Sequence, residues 1–324
     1  MITYTNLSKH PSATPSLIGM PLPAFDRLFA EFEVAHQQRL AHATLTRKTQ
    51  KPRQRAVGAG RKHRYDLRDR LLLTLFWLRV YMTYEVLGFF FGLNKTNIED
   101  SLHDCLATLE TMTTFALELP TAERQKLRSP EAVMDAFPDV GLIVDAKEQR
   151  IQRPKNKKDD DGNVQDHQKP YYSGKKKAHT LKNEINVAPD GRIELVSDSV
   201  PGGANHDLSL QRQTRSLSRL DKDKAGMVDK GYDGVQKDYP DTTIYQPYKA
   251  RRGHPLTQEQ KAYNRHLARY RIVVEHTNAQ LNRFEVLKQV YRHARMGHTQ
   301  IVRVVAGLVN RQIAIKPLKT YAVV

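Results

Sequence analysis

Two short apolar runs set the strongest limit on the fold of this chain. Val140-Gly-Leu-Ile-Val-Asp145 and Lys224-Ala-Gly-Met-Val-Asp229 each have the length and composition of a strand, and each closes on an aspartate. Between them, residues 179–188 and 192–198 read as paired strands around the turn Pro189-Asp190-Gly191. His206-Asp207 opens a helix running to about Leu220, and residues 242–246 give a further strand. A long polar helix follows at residues 269–287. The order strand, hairpin, helix, strand, strand, long helix predicts an α/β domain in which a mixed sheet is flanked by helices.

The long helix carries a single carboxylate at the centre of a polar stripe. Arg271, Glu275, Asn278 and Asn282 recur at i, i+4, i+7 and i+11, so they share one face. A solvated face with an Arg271–Glu275 pair accounts for the stripe by itself. The company of two strand-terminal aspartates gives it a second meaning, because a metal site needs carboxylates delivered from several elements. Asp145, Asp229 and Glu275 are hard oxygen donors suited to Mg²⁺ or Mn²⁺, and two such ions would activate an attacking oxygen and stabilise a leaving one. Asp207, as a first-turn helix acid, needs no functional account.

The chain's charge names the class of partner. A net charge of +17 in 324 residues calls for a polyanion, with nucleic acid ahead of an anionic membrane surface. The longest apolar run, residues 71–78, is too short to span a bilayer, and residues 1–16 lack a signal peptide's charged start and apolar core. Cys105 stands alone, which leaves neither a disulfide nor a thiolate zinc site within one chain. These features point to a cytoplasmic, nucleoid-associated protein.

The N-terminal half reads as helical. Residues 1–22 are expected to be a loosely held lead-in, and residues 24–45 a first helix. A basic block from Arg47 to Arg64 follows, in which Arg61, Lys62 and Arg64 suit a phosphate-tracking arm as well as a solvated loop. Residues 66–82 are a strongly apolar helix. Two further helices lie around a turn at Gly92, the second opening with Lys95, Thr96 and Asn97. That pattern is the sequence image of a DNA-reading helix-turn-helix. Three domains are expected: residues 1–64 as helix and arm, 65–138 as helix-turn-helix and connector, and 139–324 as the α/β domain. Within the last, residues 152–170 read as a mobile charged loop. Residues 171–180 interleave tyrosines with Lys175, Lys176 and Lys177, as a surface hairpin or a DNA-facing turn would.

The succession VDAKE (144–148), YYSGKKKAHTLK (171–182), VPGGANHD (200–207), VDKGY (228–232), YQPYK (245–249) and RYRIVVEHTNAQLNRF (269–284) resembles bacterial insertion-sequence DDE transposases. More narrowly it is similar to the Harbinger-related group, which has an N-terminal helix-turn-helix. The resemblance covers about residues 65–295. It implies an RNase H-like catalytic domain, DNA strand cleavage and transfer at terminal inverted repeats, and a dimer or larger assembly on double-stranded DNA. Asp145, Asp229 and Glu275 match the triad, with Asp207 and Arg271 as supporting residues. His206-Asp207 is itself a family-like motif, so Asp207 competes with Asp229, which is preferred because it ends a strand. The pattern departs at three places: Ala268 stands for a tyrosine, Asn282 for a lysine, and Lys147 for a threonine. A DNA-binding protein that has lost cleavage, and an RNase H-like repair nuclease, are the competing readings.

The positive charge predicts steep salt dependence of DNA binding. With roughly six phosphates neutralised, raising salt from about 50 to 200 mM should weaken binding about 10³-fold, read from a log–log plot of affinity against salt.

Overall fold

The computed structural model describes residues 1–47, 64–112, 137, 139–158 and 164–315. Contacts divide the chain into two units, Met1–Ala116 with Arg283–Val286, and Leu117–Asn282 with Leu287–Val324. Arg61, Lys62 and most of the basic arm lie outside the described residues, as does most of the connector expected before residue 138.

The first unit is helical. Its main elements are α1 (Leu22–Arg47), α2 (Leu67–Val80), α3 (Tyr84–Phe91) and α4 (Lys95–Thr111). Each of the last three starts on a side-chain cap: Asp66 accepts from the Asp69 N–H, Thr83 from that of Val86, and Asn94 from that of Asn97. Gly92 ends α3 with φ +62, so α3 and α4 are joined through residues 92–94. Apolar residues at helical spacing, among them Phe25, Leu28, Phe32, Leu71, Leu75, Ile98, Leu102 and Cys105, make the core.

The expectation of a loose lead-in is corrected. Tyr4–Leu7 and Thr14–Ile18 are short helices, and Leu7, Ile18 and Met20 are buried. The Tyr4 ring stacks on Phe25 and its hydroxyl donates to Asp26 at 2.7 Å. Arg68 lies over the rings of both Tyr4 and Phe29, so apolar and cation–π contacts hold a segment whose composition looks loose.

Asp104 of α4 is the polar hub of this unit. It receives Arg70 of α2, Arg39 of α1 and, at 3.0 Å, His36 Nε2. Burial, reinforced by the two arginines, lowers the His36 pKa to about 4, so a neutral imidazole donates to the carboxylate.

The second unit is built on β1 (Val140–Arg150), β2 (Tyr172–Ser173), β3 (Ala178–Val187), β4 (Ile193–Val196) and β5 (Val200–Pro201), followed by α5 (Asp207–Thr214), β6 (Ala225–Met227), β7 (Ile244–Tyr245), α6 (Gln258–Leu281) and α7 (His298–Ile315). The sheet order is β2-β3-β1-β6-β7, with β4 and β5 also paired to β3. β1 is antiparallel to β3 and parallel to β6, and β6 is parallel to β7. This is the mixed sheet flanked by helices that the element order implies.

The hairpin forms as read, with Gly191 at φ +88 and the Asp190 carboxylate accepting from the Arg192 N–H at 2.9 Å. Three boundaries move. β1 does not stop at Asp145 but continues to Arg150, because residues 146–150 keep pairing with residues 180–184 of β3. The helix from Asp207 ends at Thr214, and a 3₁₀ turn, Ser216–Arg219, replaces its last stretch. α6 begins at Gln258 behind a Thr257–Gln260 capping box and ends at Leu281. In the charged segment 152–170, Lys157–Lys158 pairs with Val164–Gln165 as a two-stranded ribbon whose tip, 159–163, lies outside the described residues.

Strand alternation decides what each face of the sheet carries. Asp145, Lys147 and Gln149 point to the side of α6 and α7, where they bond Asn278, Asn282 and His298. Leu142 and Val144 point the other way, into a core with Leu217, Val228, Tyr232 and Val235. No helix among the described residues is long and apolar enough to cross a membrane.

Replacing Asp104 by Ala leaves the buried Arg70 guanidinium uncompensated. The expected loss is about 3–5 kcal/mol, seen as a lower urea midpoint for the helical unit.

Candidate active site

Asp145 sits in the middle of β1, paired with Ile185 of β3 and two residues past the last pair that β1 makes with β6. Asp229 lies two residues beyond β6 and caps the 3₁₀ turn Lys230–Tyr232, its Oδ1 accepting from the Lys230 N–H at 2.7 Å. The parallel pairing of β1 with β6 therefore brings two aspartates distant in sequence to one end of the sheet. Arg271 of α6 bridges them: Nη1 donates to Asp229 Oδ1 at 2.8 Å, and Nη2 lies 3.8 Å from Asp145 Oδ1. Asn278, two turns along α6, donates to Asp145 Oδ2 at 2.9 Å. Burial raises the Asp145 pKa against the opposing pull of Arg271, and the charge of Asp229 raises it further.

Glu275 shares the stripe of Arg271 and Asn278, as its spacing requires, but its side chain is exposed. Among the described residues no group of three His, Cys, Asp or Glu side chains is drawn together closely enough to hold a metal ion. The two aspartates do pass a narrower test. Two hard carboxylates from neighbouring strands converge on one cation, here the Arg271 guanidinium, and that donor chemistry fits a divalent ion of the Mg²⁺ class.

Asp207 takes a different position. It opens α5 and accepts from Lys182 Nζ at 3.0 Å, and the same ammonium lies 3.2 Å from Glu148 and donates to the Asn205 carbonyl at 2.8 Å. Lys182 and Glu148 are directly opposed in the β1–β3 register. Asp207 is thus tied to a buried lysine, whereas Asp229 shares a cation with Asp145. Gly231 keeps this end compact, since a Cβ there would collide with the Asp207 carboxylate.

Asp145, Asp229, Asn278, Asp207, Lys182 and Glu148 border a cleft of about 870 Å³, which also takes in Lys147, Asn282, Lys175 and Lys176. Lys175 and Lys176 are exposed on the turn between β2 and β3, with Lys177 beside them at φ +50. Burial lowers the Lys147 pKa to about 8, with the nearby positive charge of Lys176 acting in the same direction and Asp145 against it. In the helical unit, Lys95, Thr96 and Asn97 form the exposed first turn of α4, where Lys95 Nζ lies 3.0 Å from Glu85. Arg64 is exposed there too, donating to the Gly92 carbonyl at 2.6 Å.

Sequence reasoning missed Lys182 and Glu184 as parts of the site's support. Their signal was a polar Lys-Asn-Glu run inside a strand otherwise rich in apolar residues. Glu184 is fully buried and accepts from Thr214 at 2.9 Å and Ser216 at 2.8 Å.

The residues from Val144 onward match a known family. Residues 144–310 fit the family described as DDE superfamily endonuclease. The chain belongs to the insertion-sequence transposases of the DDE endonuclease superfamily. A relative from Microchaete diplosiphon, the "Probable transposase for insertion sequence element IS702", is 30% identical over 260 residues, covering 79% of this chain and 84% of the relative. No solved structure matches. The matched segment begins one residue before Asp145 and contains Asp207, Asp229 and Glu275, so all the candidate carboxylates of this transposase lie within its endonuclease region.

Burial pushes the Glu184 pKa up to about 7, against an ordinary 4.5, with its hydrogen bonds opposing. Between those values the unfolded chain has lost the proton that the folded chain keeps, so Glu184's contribution to stability falls as pH rises from about 4.5 to 7. The stability advantage of Glu184→Gln over wild type should therefore grow by on the order of 3 kcal/mol between pH 4 and pH 8 in urea titrations.

Proposed function

We propose that this transposase binds the terminal inverted repeats of an insertion sequence and carries out both strand cleavage and strand transfer. The observation that carries the reading is the convergence of Asp145 and Asp229 on one cation held by α6, the helix that also bears Glu275. In this reading Asp145, Asp229 and Glu275 hold Mg²⁺ or Mn²⁺, two ions in all, with Asp207 supporting the site through Lys182. Bound there, the metal supplies Lewis-acid activation of the attacking oxygen and charge stabilisation of the leaving one.

The protein's own groups do the rest. Asp145 and Asp229 are positioned by the sheet and by Asn278. In this reading Arg271 leaves the aspartates to contact a phosphate near the site, and Lys175, Lys176 and Lys177 neutralise flanking DNA. Water attacks the phosphodiester at the element's end and frees a 3′-hydroxyl. That hydroxyl attacks target DNA, and no covalent link to the protein forms. The Harbinger-related assignment and an RNase H-like description of the sheet belong to the same reading. So does a helix-turn-helix in which Lys95, Thr96 and Asn97 contact the repeat while Arg61, Lys62 and Arg64 follow its backbone. The three expected domains, a dimer or larger assembly on DNA, and a cytoplasmic, nucleoid-associated location complete it.

A second reading, a DNA-binding protein without cleavage, is favoured by the exposure of Glu275 and by Arg271 lying where a metal ion would.

Calorimetry with Mn²⁺ on the DNA-bound protein separates the two. Asp145→Asn, Asp229→Asn and Glu275→Gln should each abolish metal uptake and lower cleavage roughly 10³-fold or more, with Asp207→Asn keeping uptake. Absence of uptake in folded, DNA-bound wild type leaves the non-cleaving reading. Cleavage without strand transfer points to a nuclease instead.

A further inference from the structure

Lys147 and Lys182 border the cleft and Arg271 bridges two aspartates that line it; of these three cations, Lys182 and Arg271 are committed to carboxylates. Arg271 is paired with Asp145 and Asp229, and Lys182 with Glu148 and Asp207. Lys147 differs. It is two residues beyond Asp145 on β1, hence on the same face of the sheet, and its ammonium donates to the neutral Asn282 Oδ1 at 2.5 Å. It makes no ion pair among the described residues. Lys176 lies near enough to act on its charge, and Lys175 and Lys176 border the same cleft.

A half-buried ammonium facing the cleft, with further lysines nearby, has an amide rather than a carboxylate as its hydrogen-bond partner, although Asp145 acts on its charge. Asn282 caps the end of α6, so the amide that orients Lys147 belongs to the helix that holds the aspartates.

We propose that Lys147, oriented by Asn282, forms a phosphodiester-binding subsite beside Asp145 that fixes the DNA backbone in the cleft. The subsite rests on the transposase reading of the cleft, and it concerns positioning of the backbone rather than the chemistry at the aspartates. Lys147 of the strand and Asn282 at the end of the helix meet, so a cation placed at either position would serve the same point in the cleft.

The test is the salt dependence of binding to a short duplex with one recessed end, measured without divalent metal on the full chain. Lys147→Met should weaken binding about tenfold and reduce the log–log slope by about 0.9, one phosphate contact. The exchange Lys147→Thr with Asn282→Lys should restore both affinity and slope, and Lys147→Arg should retain the slope. A merely structural lysine would not be rescued by a cation returned from the opposite side. An unchanged slope in folded Lys147→Met overturns the proposal, as does failure of the exchange variant, folded by circular dichroism, to regain it. Wild type that binds no duplex at all counts against the transposase reading itself, and metal uptake in the aspartate variants tests that reading separately.

Discussion

The arrangement of the catalytic unit depends on one guanidinium between two carboxylates. Asp145 and Asp229 are placed at one end of the sheet by parallel pairing of their strands, and like charges brought together there oppose folding. Arg271 offsets that cost, and because it sits on α6 it also fixes the helix against the sheet. Its bonds to the aspartates are polar and partly accessible. They hold the two carboxylates in order while the guanidinium remains partly accessible.

The same economy recurs on the other side of the sheet. Lys182 is buried, but its ammonium is shared by Glu148, Asp207 and the Asn205 carbonyl, which satisfies its donors. Glu184 next to it is pushed toward its neutral form by burial, while hydroxyl donors from Thr214 and Ser216 oppose that shift. Opposite, Gln149 and Ser199 flank the buried ring of His298, whose pKa burial lowers to about 4, so a neutral imidazole links α7 to the strands. Polar groups thus pin helices to both faces of a sheet whose centre is apolar.

Much of the fold was legible because periodicity is local. The hairpin around Gly191, the polar stripe of α6 and the apolar stripe of α4 follow from residue spacing, and the structure keeps them. Boundaries were less legible. β1 outruns Asp145 because pairing with β3 continues, and no property of residues 146–150 taken alone reveals a partner strand. The N-terminal segment looked loose because its anchors, Phe25, Asp26, Arg68 and Asp69, lie elsewhere in the chain.

The candidate site divides along the same line. The sequence alone determined which residue types were available: two aspartates closing apolar runs, one glutamate on a polar helical face, and an excess of cations that commits the chain to a polyanion. Tertiary structure decided who meets whom. It joined Asp145 to Asp229 through Arg271, tied Asp207 to Lys182, left Glu275 exposed, and set Lys147 against Asn282. Those outcomes turn on strand order and on which face each alternating side chain occupies, and both are fixed by pairing between segments far apart in the chain.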